Sequence, residues 1–327
     1  MIRFERFTEE YIGDAVKLAL SELAEERKYC PDLPEEDTSE MLTGVLNWLS
    51  GQPFGKVALS DGKIMGYLLF AGPWDGFLGD VKGVFSPLGG SAFSYEYEDR
   101  GRLASMLLAS VAEEFVNGGV YSCALSRYAH DDETARSFVL NGFGIRCCDA
   151  VREISKLSLK NHGSEVHFSE LLSDEFERIR KLRNGLVKHL ENSPIFYPTD
   201  KARYEEWFQK RDIRAFAAES DGEIIGFISL EDDGENFITE HAKIKNICGA
   251  YFDERYRSGG LAQSLLGYIR DTLSDEGVTH LGVDFETLNP TALNFWSKYF
   301  IPYTFSFARR IDERICGKNK KTIDKSY

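Results

Sequence analysis

Two adjacent glycines stand between a strand pattern and a helix pattern in the last third of the chain. The apolar run of residues 247–252 predicts a strand, and apolar residues recur at helical spacing from Leu261 to Ile269. Gly259 and Gly260 therefore fall at a strand-to-helix turn. Glycine lets the backbone approach a ligand closely, and the free N–H groups at a helix start face an anion. This turn predicts a site for a phosphate group.

The residues around the turn exclude two common phosphate motifs. The dinucleotide fingerprint needs Gly-x-Gly-x-x-Gly with an acidic residue about 20 positions further on, and the P-loop needs Gly-Lys-Ser/Thr. Neither pattern occurs at this turn. A second strand pattern follows at residues 280–285, and a second helix pattern opens at Asn289. The chemistry of the turn therefore belongs to another class of strand–turn–helix site.

Two segments in this region carry a family resemblance. The spacing Arg257-x-x-Gly260-x-Ala262 resembles the pyrophosphate loop of the GCN5-related N-acetyltransferases, the GNAT family. About 30 residues further on, Asn289-x-x-Ala292-x-x-Phe295 resembles a second segment of that family. The resemblance implies acetyl-CoA as the cosubstrate and transfer of its acetyl group to an amine.

The resemblance also implies which residues hold the coenzyme. The strand before the turn would offer backbone groups to the acetyl carbonyl and the pantetheine arm, and the turn would take the pyrophosphate mainly through backbone N–H groups. Asn289 would contact the pantetheine arm, and Phe295 would pack against the coenzyme or in the core. The expected cofactor-binding residues are Ala250, Tyr251, Phe252, Arg257, Ser258, Gly259, Gly260, Leu261, Ala262, Asn289 and Phe295.

Acetyl transfer needs a proton donor for the leaving thiolate, and this chain departs from the family there. The usual acid is a tyrosine directly after the Phe/Leu position, where this chain has Trp296. An indole cannot protonate a thiolate. Either the thiolate leaves without an acid, or another residue acts. Tyr299, one helical turn further on, is the expected catalytic acid, and Tyr303 is the second choice.

The reaction also needs a base for the ammonium proton, and Glu286 is the expected catalytic base. It follows a strand at the sheet edge where ligands of open α/β sheets collect. Glu240 and His241 are second choices, and a chain of waters can also carry the proton with no single essential residue. Cys248, in the strand before the turn, is expected to pack in the core, with contact to the thioester as the alternative. No residue spacing predicts a metal site.

The chain contains an internal duplication. The hairpin turn at residues 60–62 recurs at 220–222, and Thr134-Ala135-x-x-Phe138 recurs at residues 291–295. Each half reads as a strand, two helices, three strands, a helix, a strand, a helix and a last strand, which is the order of an acetyltransferase domain. The predicted fold class is therefore α/β (α+β), with two tandem GNAT folds, each a mixed, mostly antiparallel sheet flanked by helices.

The two predicted domains, residues 1–158 and 159–327, meet in a polar segment around residues 156–165. In the first domain, the segment Asp99–Ala104 corresponds to the glycine turn. If Ala104 is aligned with Ala262, Arg102 stands at the position of Gly260, and Asp99 places a carboxylate where a pyrophosphate would bind. We therefore expect the first domain to have lost coenzyme binding and to act as a scaffold or as one wall of the substrate site.

Composition limits the remaining functions. The 327 residues suffice for two domains, and a hydrophobic content of 43% is enough to fill their cores. No apolar run approaches the ~20 residues of a membrane span, and the N-terminus lacks the apolar region of a signal peptide, so we expect a cytoplasmic protein. A net charge of −14 argues against nucleic-acid partners. The six cysteines show no metal-binding spacing and are expected to be reduced thiols.

We therefore expect an acetyl-CoA-dependent N-acetyltransferase that acts through its second domain on an amine of a small molecule or peptide. No nucleic acid and no membrane are expected as partners, and a homodimer is compatible with this interpretation. The alternative is a non-catalytic CoA-binding sensor or interaction module, which Trp296 and the degenerate first loop favour. A third alternative, a scaffold that binds no coenzyme, predicts no response to acetyl-CoA.

Overall fold

A computed structural model describes residues 2–159 and 166–315. The predicted linker residues 160–164 and the lysine-rich tail, which includes Cys316, lie outside the described residues. The α-helices are α1 (Ile12–Glu26), α2 (Ser39–Ser50), α3 (Arg100–Asn117), α4 (Asp132–Leu140), α5 (Arg180–Glu191), α6 (Lys201–Lys210), α7 (Leu261–Asp275) and α8 (Pro290–Trp296). The strands are β1 (Arg3–Arg6), β2 (Phe54–Ser60), β3 (Lys63–Trp74), β4 (Lys82–Ser86), β5 (Ser91–Phe93), β6 (Val120–Tyr128), β7 (Gly144–Glu153), β8 (His167–Leu171), β9 (Ile213–Ser220), β10 (Glu223–Glu231), β11 (Ile244–Phe252), β12 (His280–Glu286) and β13 (Ile301–Arg310).

The order of elements in the first half recurs in the second. The first half runs β1, α1, α2, β2, β3, β4, α3, β6, α4, β7, and the second runs β8, α5, α6, β9, β10, β11, α7, β12, α8, β13. The short strand β5, which pairs with β3, is an addition in the first half. Both hairpin turns adopt left-handed backbone conformations at Asp-Gly, with φ of 51° at Asp61 and at Asp221. The repeated turn sequence thus builds the same hairpin twice.

The described chain divides into two compact units. Unit 1 comprises Met1–Pro31, Glu36–Arg146 and Tyr303–Tyr327, and unit 2 comprises Asp32–Glu35 and Cys147–Pro302, each within the described residues. Most of β7, from the first half of the sequence, therefore belongs to unit 2, and most of β13 belongs to unit 1. The predicted domain boundary between residues 158 and 159 concerns the sequence repeats and stays a prediction. The compact units differ from it because β7 pairs with β12 and β13 pairs with β6.

Unit 1 is built on a mixed sheet with the strand order β1-β2-β3-β4-β6-β13. Only the β4–β6 pair is parallel among these neighbours, and β13 pairs with β6 in antiparallel register. Leu103, Leu107 and Phe115 of α3 pack with Phe70 of β3 in its core. Helix α3 therefore covers one face of the sheet through a stripe of apolar residues at helical spacing.

Unit 2 repeats this design with the strand order β7-β12-β11-β10-β9-β8. The β11–β12 pair is parallel and the other neighbours are antiparallel. Leu182 of α5 and Phe208 of α6 pack with Phe227 of β10 in the core, and α7 buries Leu265 and Ile269. The predicted class, a mixed and mostly antiparallel sheet flanked by helices, is confirmed.

A buried network of charged side chains lies in unit 1. Arg127, only 1% exposed, donates to the Glu22 carboxylate at 2.8 Å and to the Ser91 carbonyl at 2.9 Å. Asp131 receives bonds from both Arg127 and Arg100. Burial raises the pKa of Asp131, but the two arginines outweigh burial and bring this pKa to about 2. The charges are therefore kept inside the unit by mutual pairing.

Replacing Arg127 tests how much this network stabilises the fold. Arg127→Met leaves two buried carboxylates with one arginine, so we expect the free energy of unfolding, measured with urea at pH 7, to fall by about 3–5 kcal/mol. Arg136→Met, at an exposed position of α4, is the matched control and should change it by less than about 0.5 kcal/mol.

The same network predicts a pH dependence. Asp131 has a lower pKa in the folded than in the unfolded chain, where it is about 3.9, so its stabilising effect is complete above that value. Stability should fall as the pH drops from about 4 towards 2.

Equal losses of unfolding free energy for Arg127→Met and Arg136→Met at pH 7 would contradict a stabilising network.

Candidate functional site

The start of α7 leaves backbone donors open. Its N-cap is Gly260, at φ 81°, and no side chain caps the helix. The first helical bond joins the Ser264 N–H to the Gly260 carbonyl. Helix geometry therefore leaves the N–H groups of Leu261 and Ala262 without an intrahelical acceptor. Ser258 also adopts a left-handed conformation, at φ 70°. This turn exposes donors that favour an anion.

These donors open into a cavity of about 620 Å³ in unit 2. Every expected cofactor-binding residue except Gly259 lines this cavity, and so does the expected acid Tyr299. The lining residues among the predictions are Ala250, Tyr251, Phe252, Arg257, Ser258, Gly260, Leu261, Ala262, Asn289, Phe295 and Tyr299. The cavity thus brings the two sequence motifs together, although about 30 residues separate them in the chain.

Strands β11 and β12 separate beside this cavity. Their parallel pairing runs from Ile244 opposite His280 to Ile247 opposite Val283, and then it ends. Both strands continue, β11 to Phe252 and β12 to Glu286, without pairing to each other. The backbone of β11 beyond Ile247 therefore has an edge that the β11–β12 ladder leaves open.

A bulge in the neighbouring pair accompanies this separation. In β10, Ser229 pairs with Gly249 and Leu230 pairs with Ile247, so Cys248 is the extra residue. The Cys248 thiol donates to the Ser229 hydroxyl at 3.4 Å. Burial raises the pKa of Cys248 to about 12, which keeps it a thiol at neutral pH. The expectation that Cys248 packs rather than reacts agrees with this environment.

The Arg257 side chain ties the turn to the end of β11. Its Nε donates to the Phe252 carbonyl at 2.9 Å, and its guanidinium lies 4.9 Å from the centroid of the Tyr251 ring. Both contacts hold the loop backbone in place. The side chain therefore organises the turn, while the open donors of the turn are backbone groups.

Asn289 has a structural role at the entrance of α8. Its Oδ1 accepts from the N–H groups of Thr291 at 3.2 Å and Ala292 at 3.3 Å, so it caps the helix. The residue is only 7% exposed and lines the cavity. The same Oδ1 lies 3.3 Å from Nε2 of His189 in α5.

His189 is a cavity residue that the sequence analysis missed. Leu182, Leu186 and His189 stand at i, i+4 and i+7 on α5, which places them on one helix face. Leu182 is buried in the core, and Leu186 and His189 line the cavity. The helical spacing was therefore the signal that could have found this histidine.

The candidates for the catalytic acid lie in different places. Tyr299 lines the cavity, its ring lies 5.1 Å from that of Phe295, and burial raises its pKa. Trp296 is 6% exposed and also lines the cavity. Tyr303 belongs to unit 1 and is buried there. Tyr299 is therefore the acid candidate that the fold places at the cavity.

The predicted bases do not line the cavity. Glu286 lies opposite Cys147 of β7, and Asp284 lies opposite Asp149, so these side chains share one face of the sheet. Burial, followed by nearby carboxylates that include Glu235, raises the pKa of Asp284 well above its usual range. This face is acidic and borders the separation of β11 and β12.

The two second-choice bases have local partners. The Glu240 carboxylate accepts from the Gly234 N–H at 2.7 Å, and Nδ1 of His241 accepts from the Lys243 N–H at 3.2 Å. Neither residue is part of the cavity lining. Both side chains therefore serve the loop between β10 and β11.

The corresponding helix start in unit 1 is closed by carboxylates. The N-cap of α3 is Asp99, whose side chain accepts from the Arg102 N–H at 2.8 Å. Glu133 accepts from the Gly101 N–H at 3.0 Å. Asp99 is the N-cap of α3 as Gly260 is the N-cap of α7, whereas the sequence alignment placed Arg102 opposite Gly260. The carboxylate expected at this helix start is present.

The family comparison agrees with this geometry. A family model described as the acetyltransferase (GNAT) family matches residues 177–300. Residues 177–300 form a GNAT-family domain. The match covers the helix start of α7, the separated strands and α8, which are the parts that build the cavity.

Solved structures extend the GNAT-like fold to the rest of the chain. A GCN5-related N-acetyltransferase from Sphaerobacter thermophilus is 13% identical, with a TM-score of 0.59, and the match covers 94% of this chain and 95% of that chain. A tandem GNAT protein from the clavulanic acid biosynthesis pathway is 12% identical, with a TM-score of 0.51, over 95% and 98% of the two chains. At these identities the likeness shows the fold alone.

A third similar structure is a larger protein. The glucosamine N-acetyltransferase region of a fungal multi-domain β-N-acetylglucosaminidase is 14% identical, with a TM-score of 0.54. The match covers 94% of this chain and 38% of that chain. No curated protein sequence matches the chain.

Two further properties concern residues 2–159 and 166–315. None of the helices there is long and apolar enough to cross a membrane. No group of three or more His, Cys, Asp or Glu side chains in these segments is arranged to hold a metal ion.

Gly260 and Gly259 provide a matched test of the turn. Gly260→Ala places a Cβ on a residue at φ 81°, so we expect the free energy of unfolding to fall by about 1–2 kcal/mol. Gly259 has no atom within 4 Å of a built Cβ and no positive φ, so Gly259→Ala should leave stability nearly unchanged. Urea unfolding measures both variants, and equal effects would show that the turn does not require the left-handed conformation.

Proposed function

We propose that the GNAT domain binds acetyl-CoA in the 620 Å³ cavity and transfers its acetyl group to an amine of a small molecule or peptide. One observation carries the proposal: the uncapped start of α7 opens into the same cavity that borders the separated strands β11 and β12. The open N–H groups at the start of α7 suit a pyrophosphate, and the open backbone edge of β11 suits the thioester arm.

The proposed binding roles follow from the donors present. The N–H groups of the turn between Arg257 and Ala262 take the pyrophosphate, and the helix start adds a favourable dipole. The open edge of Ala250–Phe252 holds the pantetheine arm and the thioester carbonyl. Phe295 packs against the coenzyme, and Asn289 contacts the arm while it caps α8. Acetyl-CoA supplies the activated acetyl group.

The proposed catalytic roles belong to Tyr299, which lines the cavity, and to Glu286, which ends strand β12. Tyr299, whose pKa burial raises, stays protonated at neutral pH and can donate to the leaving sulfur. Glu286 acts as the base from the acidic face of β12, through a water because it does not line the cavity. The carboxylates on that face attract a cationic amine.

The first half acts as a scaffold in this proposal. Its α3 start is already occupied by Asp99 and Glu133, so no backbone donor of the first turn remains for a pyrophosphate at Gly101 or Arg102. A carboxylate there also repels an anion. Coenzyme binding is therefore assigned to the second half alone.

A CoA-binding sensor is the competing function. Trp296 stands at the position where the family has its acid, and it is buried between Phe295 and Phe300, with ring centroids 4.8 and 5.6 Å away. Such a residue can line a binding site without transferring a proton. Turnover of an amine separates the two functions.

An amine screen tests the proposed transfer. Acetyl-CoA is incubated with spermidine, tyramine, glucosamine and a lysine-containing tripeptide, and acetylated product is measured by mass spectrometry together with release of the CoA thiol. We expect at least one product. Binding of acetyl-CoA without any acetylated amine would favour the sensor.

Two variants then test the roles of the acid and the base. Tyr299→Phe and Glu286→Gln should each lower kcat by about 100-fold, with the Glu286 variant also changing the pH profile. Tyr268→Phe, on α7 and outside the cavity lining, is the control for loss of a phenol. A kcat of Tyr299→Phe equal to that of Tyr268→Phe would remove Tyr299 from the mechanism, and an unchanged pH profile of Glu286→Gln would remove Glu286.

A further inference from the structure

His189 has the contacts of a proton acceptor at the proposed acetyl-transfer site. It lines the cavity from α5, and its Nε2 lies 3.3 Å from Oδ1 of Asn289. We propose that Nδ1 of His189 is the direct base, which takes the proton of the acceptor amine first, and that the water-linked Glu286 receives this proton only afterwards. This inference rests on the proposed function and adds a catalytic residue to it.

The contacts of Asn289 determine which ring nitrogen carries the proton. Its Oδ1 already accepts two backbone N–H bonds, from Thr291 and Ala292, which fixes the orientation of the amide. An amide oxygen carries no hydrogen and can only accept, so Nε2 of His189 must be the donor in the 3.3 Å contact. The neutral ring is therefore the Nε2–H form.

This tautomer leaves Nδ1 as the basic atom. Neutral imidazole has one N–H donor and one acceptor nitrogen, and Nδ1 of His189 has no hydrogen-bond partner among residues 2–159 and 166–315. Its lone pair is therefore available to a ligand in the cavity. The hydrogen bond to Asn289 fixes the orientation of the His189 ring, just as a hydrogen-bonded partner fixes the ring of a catalytic histidine.

The location of His189 distinguishes it from Glu286. Leu186, one turn before His189 on α5, lies 4.0 Å from the Cβ position of Gly249, at the bulge beside the open edge of β11. His189 lines the same cavity as that edge, whereas Glu286 does not. A direct base must come within hydrogen-bond reach of the amine, and the cavity supplies that access only to His189.

The proton and the bonds balance in this step. The amine nitrogen forms a bond to the acetyl carbon, the carbon–sulfur bond breaks, and the amine proton passes to Nδ1. Tyr299 or solvent protonates the departing sulfur, and the imidazolium later returns its proton to water. No oxidant or reductant is needed. The other titratable groups that line the cavity are Arg257, Lys298, Tyr251, Tyr256 and Tyr299.

The first experiment locates the ring proton. Spectra of ¹⁵N-histidine-labelled protein, with the His189 signals assigned by their loss in His189→Gln, report the state of both nitrogens as the pH is lowered. We expect the neutral ring to carry its proton on Nε2 and to gain the second proton on Nδ1. A neutral ring protonated on Nδ1 would overturn the inference, whatever the acceptor is.

The second experiment separates this inference from the proposed function. Acetyl-CoA binding is measured by calorimetry, and acetyl transfer to the amine found in the screen is measured across pH, for wild type, His189→Gln and His167→Gln, an exposed residue of β8. We expect unchanged acetyl-CoA affinity in all three proteins. In His189→Gln alone, kcat should fall by about 100-fold and the acidic limb of the pH–rate profile should disappear.

The contrary outcomes differ. If wild type acetylates an amine and His189→Gln retains its pH profile, the base assignment is wrong while the proposed function stands. If wild type binds no acetyl-CoA, the proposed function fails and the base assignment fails with it. A comparable loss in His167→Gln would also contradict the assignment, because that residue is remote from the cavity lining.

Discussion

The backbone donors at the start of α7 are the constraint on which the site depends. A helix start leaves N–H groups that the helix itself cannot satisfy, and here no side chain caps them. The left-handed conformation of Gly260 turns the chain so that Leu261 and Ala262 line the cavity. The sheet contributes the second half of the site, because β11 and β12 stop pairing at Ile247 and leave a backbone edge open.

The two halves show how one fold either keeps or loses such a site. In unit 2 the helix start is uncapped and borders a cavity of about 620 Å³. In unit 1 the carboxylates of Glu133 and Asp99 accept from the N–H groups of Gly101 and Arg102 at the start of α3. Apart from β5 the order of elements is the same, but the side chains at the two helix starts differ. A fold therefore does not by itself carry the function.

Local patterns made much of the fold predictable. Asp-Gly turns, helical spacing and glycine at a strand–helix junction each act over a few residues, and the structure has the predicted elements at nearly the predicted bounds. The joining of the Arg257 and Asn289 motifs at one cavity was also predictable, because both follow strands that pair in parallel. The assignment of β7 to unit 2 and β13 to unit 1 was not predictable, because β7 pairs with β12 and β13 pairs with β6 across more than 100 residues of sequence, and no local pattern specifies such partners.

The site details that the sequence did not reveal depend on contacts across long separations. His189 reaches Asn289 over 100 residues, and Glu133 reaches Gly101 over 32 residues. Asp99 caps α3 in the structure, and an N-cap carboxylate looks the same in sequence as one that faces a ligand. Glu286 was favoured from its position at a strand end, but it is not among the residues that line the cavity.

A calorimetric titration of acetyl-CoA into wild type, Gly260→Glu and Asp99→Gly tests the central claim most directly. The account predicts one equivalent bound by wild type, no binding by folded Gly260→Glu, and wild-type binding by Asp99→Gly, because the second half alone keeps open donors. Circular dichroism confirms that each variant is folded. A second equivalent in wild type, binding that survives in Gly260→Glu, or no heat at any concentration would contradict the account.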